Sequence, residues 1–144
     1  MLGTEPEIIR DYVVTGQVKL VFWPVLTYGN PSLYSAHAAH CAGQQNPDFF
    51  WALHKALFEN QRDLSRADRD YFVQTAVAFG ANQADFETCY DDPAALEEVR
   101  QLDNIRRQRG IFSHPQFDIN GRILVGAQPY NVFAQAIDAA LSGP

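Results

Sequence analysis

The sequence predicts an α/β or α+β sandwich, and three observations support this fold class. A run of β-branched and aromatic residues from Gln17 to Val25 is typical of a buried strand. Helical periodicity then dominates most of residues 30–110. Two apolar runs around Asn120-Gly121 predict a β-hairpin, and an amphipathic helix follows it. A strand, a block of helices, a hairpin and a helix together indicate a sheet covered by helices.

Prolines and capping residues mark the first helices after the predicted strand, which Pro24 ends. The Asn-Pro-Ser tripeptide at the start of residues 30–43 predicts one helix, and Pro47 opens the next. Ser65 and Asp68 have the spacing of a capping box before a helix that ends at Gly80.

Three further helices are predicted from the same signals. Residues 85–90 form a short one, and Pro93 begins a long one that runs towards Gly110. Residues 129–141 carry apolar side chains at helical spacing and predict the closing helix.

The hairpin is the sharpest local signal in the chain. Its strands are predicted at residues 116–119 and 122–125, because Asn-Gly is the dipeptide that best tolerates positive φ at both turn positions. Pro115 stands before the first strand, where its missing N–H removes no central hydrogen bond, and it holds His114 in an extended conformation.

Composition and charge exclude several classes of protein. With 144 residues, 47% hydrophobic and 12% aromatic, the chain can bury a core and fits one domain. Its net charge of −6 disfavours binding to nucleic acid or to an anionic membrane. The one basic cluster, Arg106, Arg107 and Arg109, is typical of a solvated helix face. The sequence contains neither a membrane-spanning apolar stretch nor the features of a secretion signal.

Three segments carry a resemblance to a known family. Residues 110–130 read GIFSHPQFDINGRILVGAQPY, residues 33–42 read LYSAHAAHCA, and residues 50–61 follow the pattern FW-x-x-H-x-x-LF-x-x-Q. In this order they resemble the DsbA-like thiol–disulfide oxidoreductases, which are thioredoxin-fold proteins with an inserted helical domain. The resemblance covers most of residues 5–141. It implies one thioredoxin-like domain over residues 1–144, with a helical insertion at about 30–110.

The resemblance also assigns a candidate site. It implies that Pro115 is the family's cis-proline and that His114 and Pro115 border the groove that holds substrate peptide. Two residues depart from the family's pattern, since Ser113 replaces a glycine and His114 replaces a threonine or valine.

The family's catalytic motif is absent from these residues. In the family, a strand ending in F-x-C-P-x-C-x-x-F precedes the first helix, whereas residues 5–13 of this chain resemble the last turns of that helix. We therefore expect an N-terminally truncated, redox-inactive chain with no catalytic residue. An exported parent protein is expected, although these residues give no localisation, and an in-frame upstream Cys-x-x-Cys would restore the enzyme.

The two cysteines, Cys41 and Cys89, lie too far apart in the sequence to form a redox motif. The residues alone leave two inert thiols or a bonded pair open, and the resemblance implies a structural disulfide in the helical insertion. His37 and His40 could present two imidazoles to a metal, but no further ligand is designated. We expect a surface histidine pair, and no metal or cofactor. His54, among apolar neighbours, is expected to be a hydrogen-bonded histidine at a helix surface or groove rather than a catalytic one.

Three functions follow as hypotheses. The first is an inactive chain of the disulfide oxidoreductase family, and the second is a module that binds a peptide or partner beside His114 and Pro115. The third is a catalyst of the kappa-class glutathione transferase type that uses Ser113, which glutathione calorimetry would reveal. Without the family's central strand, Val21, Phe117 and Ile119 are expected to be exposed. We therefore expect a homo-oligomer or a partner that completes the sheet.

Overall fold

The computed structural model describes residues 3–143, and they divide into two compact units. The first unit contains the described residues up to Phe22 together with those from Arg107 onwards. The second unit contains Trp23–Arg106. Each unit has its own hydrophobic core.

The second unit is built from helices. These are α2 (Asn30–Gln45), α3 (Pro47–Glu59), α4 (Arg69–Ala78), α5 (Gln83–Tyr90) and α6 (Pro93–Gln108), which follow α1 (Glu5–Ile8) of the first unit. The last two residues of α6 fall in the first unit. All five lie close to their predicted positions. Prolines occupy the first turns of α2 and α3, where a missing N–H costs no helical hydrogen bond.

Short polar side chains cap three of these helices. Asn46, Asp68 and Asn82 each accept a hydrogen bond from a main-chain N–H in the first turn that follows. The capping box predicted at Ser65 is wrong, because Asp68 is itself the cap and accepts from the N–H of Tyr71 at 2.9 Å. Ser65 lies in the turns before the helix, and the helix begins one residue after Asp68.

The core of the second unit is aromatic and aliphatic. Leu53 and Phe86 are fully buried, and Phe72 is nearly so. One ion pair is buried as well: Arg106 donates from Nε to Oδ1 of Asp103 at 2.9 Å, and the same oxygen accepts from the N–H of Leu26. Arg106 therefore does not belong to a solvated helix face, because a buried guanidinium is retained where a carboxylate satisfies it.

The first unit combines helices with the hairpin. Helix α1 continues into a π-helical turn, Ile9–Val13, and α7 (Tyr130–Leu141) begins after the hairpin. Strands β1 (Gln116–Ile119) and β2 (Arg122–Val125) pair antiparallel, as predicted.

The turn of the hairpin has the backbone that its sequence requires. Asn120 has φ of 49° and Gly121 has φ of 97°, both in the left-handed region that Asn and Gly tolerate best. Asp118 accepts from the N–H of Gly121 at 2.6 Å and closes the turn.

The strand predicted at Gln17–Val25 is absent from the described structure. The prediction rested on its β-branched and aromatic residues, and its side chains do alternate between exposed and partly buried over residues 17–22, as they would in a strand. A strand also needs a hydrogen-bonded neighbour, and the sheet described within residues 3–143 contains β1 and β2 alone. The segment is therefore irregular.

Helix α7 anchors the first unit through apolar and polar contacts. Phe133 is buried and meets Phe117 edge-on, with ring centroids 4.6 Å apart. The hydroxyl of Tyr130 donates to Asp11 at 2.7 Å. Hydrogen bonds from Arg10 and Tyr130 hold the pKa of Asp11 at about 2. Of the three side chains expected to be exposed, Val21 is exposed, but Phe117 and Ile119 pack partly buried against this core.

Among residues 3–143, no helix combines the length and apolar character needed to span a bilayer.

Candidate functional site

The loop between α6 and β1 contains the groove residues that the resemblance implies. Gly110, with φ of 74°, ends the helical region, and the chain then passes through Phe112, Ser113 and His114. All three are exposed, and Phe112 is 68% exposed.

Hydrogen bonds to the hairpin fix the end of this loop. The peptide bond between His114 and Pro115 is cis, and the carbonyl of Pro115 accepts from the N–H of Gly126 at 2.9 Å. This bond extends the antiparallel pairing by one step beyond Gln116 and Val125. Pro115 is therefore held at the end of the hairpin, while the three residues before it project into solvent.

Sequence reasoning did not single out Phe112. It precedes the expected groove residues by two or three positions, and aromatic residues are usually assigned to the core. Its exposure could be recognised only from the fold.

The second chemically notable site is the disulfide of the second unit. Cys41 in α2 and Cys89 in α5 are bonded, with a Cα–Cα distance of 5.7 Å across a sequence separation of 48. The implied disulfide is confirmed. In the chain-entropy description, a cross-link over a loop of this size disfavours the unfolded state by about 4 kcal/mol.

His37 and His40 have different environments. His37 is 1% exposed, and its Nε2–H donates to the carbonyl of Tyr90 at 3.0 Å. Burial lowers the pKa of His37 below the usual value for histidine. His40 is partly exposed and lies 3.1 Å from a carboxylate oxygen of Glu98. The expected surface pair is therefore wrong for His37, because the tight packing of α2 against α5 covers it.

The residues that suggested a metal site have other roles. Cys41 is in the disulfide, and His37 is engaged by Tyr90. No group of three or more metal-ligating side chains comes together within the part of the chain that the structure describes.

His54 also lies inside the second unit. It is 3% exposed and is surrounded by the rings of Phe50, Trp51 and Phe58. Its position in an aromatic cluster indicates a packing role and places it deeper than the helix surface that was expected.

Comparisons with known proteins agree with the fold. The thioredoxin family profile matches residues 2–139. Disulfide bond formation protein D of Bacillus subtilis (strain 168) is 24% identical over 141 residues, which cover 96% of this chain and 64% of that protein. The chain therefore spans less than two thirds of the length of this relative. The family profile matches nearly all of the residues, and the chain has the ordered motifs and the helical insertion described above. The chain therefore belongs to the thioredoxin family, as a DsbA-like member of its thiol–disulfide oxidoreductases.

Proposed function

We propose that these residues form the substrate-holding part of a DsbA-like oxidoreductase and do not themselves exchange disulfides with proteins. The observation that carries this proposal is the bond between Cys41 and Cys89, the two cysteines of the sequence. Disulfide exchange needs one accessible thiolate to attack and a second thiol to resolve the mixed disulfide. Cys41 is fully buried, so this pair offers a protein substrate no second accessible sulfur.

The similarity to the Bacillus subtilis protein sets the scope of this proposal. The name of that protein states a role in disulfide bond formation, and the present chain spans 64% of its length. In a longer polypeptide that exchanges disulfides, we propose that the attacking cysteine lies outside residues 1–144. Residues 112–115 would then hold the substrate next to it.

An insulin-reduction assay tests the proposed inactivity. With dithiothreitol as the electron donor, the chain should precipitate insulin B chains no faster than a Cys41→Ala/Cys89→Ala variant does. The variant is the matched control because it keeps residues 112–115 and removes both sulfurs. A wild-type rate well above that of the variant would contradict the proposal.

A second candidate function is peptide binding without catalysis, and the exposed surface of the first unit favours it. Phe112 is 68% exposed, and Ile123 and Val125 on β2 are 48% and 52% exposed. Extended peptides bind by adding main-chain hydrogen bonds at a strand edge while their side chains contact apolar residues beside it. The hairpin and the loop before it supply both features.

Fluorescence anisotropy with a labelled, reduced and alkylated insulin B chain tests this second function. Phe112→Ser should weaken binding about tenfold, which corresponds to loss of one well-buried apolar contact. Val14→Ser is the control, because Val14 is 76% exposed in the same unit but lies outside the loop and hairpin. If the two substitutions weakened binding equally, any exposed apolar residue would contribute to binding of the B chain. That result would exclude a specific groove.

A further inference from the structure

A shallow depression lies over the disulfide of the second unit. It has a volume of about 640 Å³ and is open on its solvent side. Polar and small residues dominate its lining, which consists of Cys41, Gln44, Gln45, Asn46, Phe49, Gly80, Asn82, Asp85 and Cys89. Both sulfur-bearing residues therefore border a space large enough for a small molecule.

The two ends of the disulfide differ in access. Cys41 is 0% exposed, whereas Cys89 is partly exposed. A thiolate from solution must reach a sulfur atom in order to attack it, so Cys89 is the end that it meets. Cys41 is then the sulfur that leaves.

A histidine stands beside the leaving sulfur. The Nδ1 atom of His37 lies 3.9 Å from Sγ of Cys41, at one turn's distance along α2. Its Nε2 lies 3.0 Å from the carbonyl oxygen of Tyr90, and a carbonyl oxygen only accepts. In the neutral ring, Nε2 therefore carries the proton and Nδ1 presents a lone pair towards Cys41.

We propose that Cys89 is a site of S-thiolation by low-molecular-weight thiols that carry no negative charge. The incoming thiolate forms a bond to Sγ of Cys89, and the bond between Cys89 and Cys41 breaks. The electron pair of that bond stays on Cys41, which takes up the proton that the incoming thiol lost. One thiol and one disulfide thus give one mixed disulfide and one protein thiol.

His37 accommodates the new thiol in the interior. The S–H of Cys41 can donate to Nδ1 of His37, so the reduced sulfur gains a hydrogen-bond partner without leaving its buried position.

Asp85 determines which thiols react fastest. It is the one charged residue in the lining of the depression. Asp85 and Cys89 lie four positions apart on α5 and so share one face of that helix. Side chains with this spacing on a helix are close neighbours. The carboxylate should therefore slow the reaction of an anionic thiol and speed that of a cationic one, by roughly fivefold each at low salt.

Peptide mapping under native conditions tests the attack site. The oxidised protein is incubated with cysteamine, quenched with acid, treated with N-ethylmaleimide and digested for mass spectrometry. The expected result is cysteamine on Cys89 and maleimide on Cys41. Cysteamine on Cys41, or an adduct that forms only after urea is added, would overturn the proposal.

A charge series tests the role of Asp85. At low salt and at equal thiolate concentration, the rate of adduct formation should fall from cysteamine to 2-mercaptoethanol and fall again to 3-mercaptopropionate. The Asp85→Asn variant should compress this series to within about twofold. An unchanged series in the variant would remove Asp85 from the proposal.

Single-cysteine variants provide an independent measurement. In Cys41→Ser, cystamine should thiolate Cys89 rapidly, whereas in Cys89→Ser the buried Cys41 should react at least tenfold more slowly. Equal rates in two folded variants would show that both ends are accessible and would overturn the proposal. The wild-type peptide map decides the question where a variant fails to fold.

Discussion

His37 and His40 show how neighbouring residues of the same type acquire different properties. The sequence places both in one HAAHC segment and predicts the same environment for each. The structure buries His37 against Tyr90 and leaves His40 beside Glu98 at the surface. Which face of α2 is covered depends on where α5 packs, and a local sequence pattern does not contain that information. The bond of Cys41 could be predicted, because the resemblance implied that Cys89 is its partner.

The buried His37 should make stability dependent on pH. Its folded-state pKa is lowered by burial, so the unfolded chain binds more protons as the pH falls below about 6.5. Above that pH, the neutral ring makes its full contribution to the free energy of unfolding. Acidification removes this contribution, at no more than about 1.4 kcal/mol per pH unit.

Urea unfolding at pH 7.5 and pH 5.5 measures this effect. From pH 7.5 to pH 5.5, the free energy of unfolding should fall further in the wild-type protein than in His37→Gln. The amide of the variant can still donate to the carbonyl of Tyr90 but cannot titrate. Equal losses in the two proteins would assign the pH dependence to other groups.

At the scale of single elements, the local signals were sufficient where a segment forms its own hydrogen bonds. Helices start at prolines and short polar caps, and the hairpin closes around Asn120-Gly121, because these residues fix the backbone by themselves. Gln17–Val25 had the composition of a strand but is irregular, since a strand also requires a neighbour that its own sequence does not specify.

Gly121 should be the residue of the hairpin that tolerates substitution least. Its φ of 97° is strained for any residue with a side chain, although nothing lies within 4 Å of an added methyl group. Gly121→Ala should therefore lower the free energy of unfolding by about 1–2 kcal/mol through the backbone alone.

Thermal unfolding of Gly121→Ala and Gly3→Ala compares this cost with a matched control. Gly3 also has open space around its Cα, but it has no positive φ. We expect a lower Tm for Gly121→Ala and an unchanged Tm for Gly3→Ala. Similar Tm values for the two variants would mean that the turn relaxes to another conformation.

At the scale of the molecule, the motifs and their order predicted the thioredoxin-like family, and the resemblance to that family implied the disulfide. Helix and strand periodicity could predict neither, because it reports on local structure alone. The exposure of Phe112 and the depression beside Cys89 could not be predicted, since both depend on which surfaces the packed helices and the hairpin leave uncovered. Composition did not mark where the two compact units divide, because the sequence contains no linker-like segment at Phe22 or Arg107.

We propose that the chain self-associates through the first unit. Val21, Ile123 and Val125 are each about half exposed, and a two-stranded sheet presents main-chain groups at its edges. A dimer that covers this surface should bury about 1,000 Å² or more.

Light scattering over a dilution series should show a mass that falls towards that of the monomer, 16.2 kDa. Val125→Lys places a charge on the exposed edge and should shift the transition to higher protein concentration. Val14→Lys is the control, since Val14 is 76% exposed and is not part of the hairpin. A compact monomer at every concentration would exclude self-association.

The bond between Cys41 and Cys89 also determines how the chain responds to mechanical force. If the two ends were pulled apart, the segment between the cysteines, with a sequence separation of 48, could not extend while the bond is intact. At 3.3–3.6 Å for each extended residue, the oxidised chain would stop roughly 150 Å short of the length that the reduced chain reaches. A thiol that opens the bond at Cys89 would therefore lengthen the stretched polypeptide in one step.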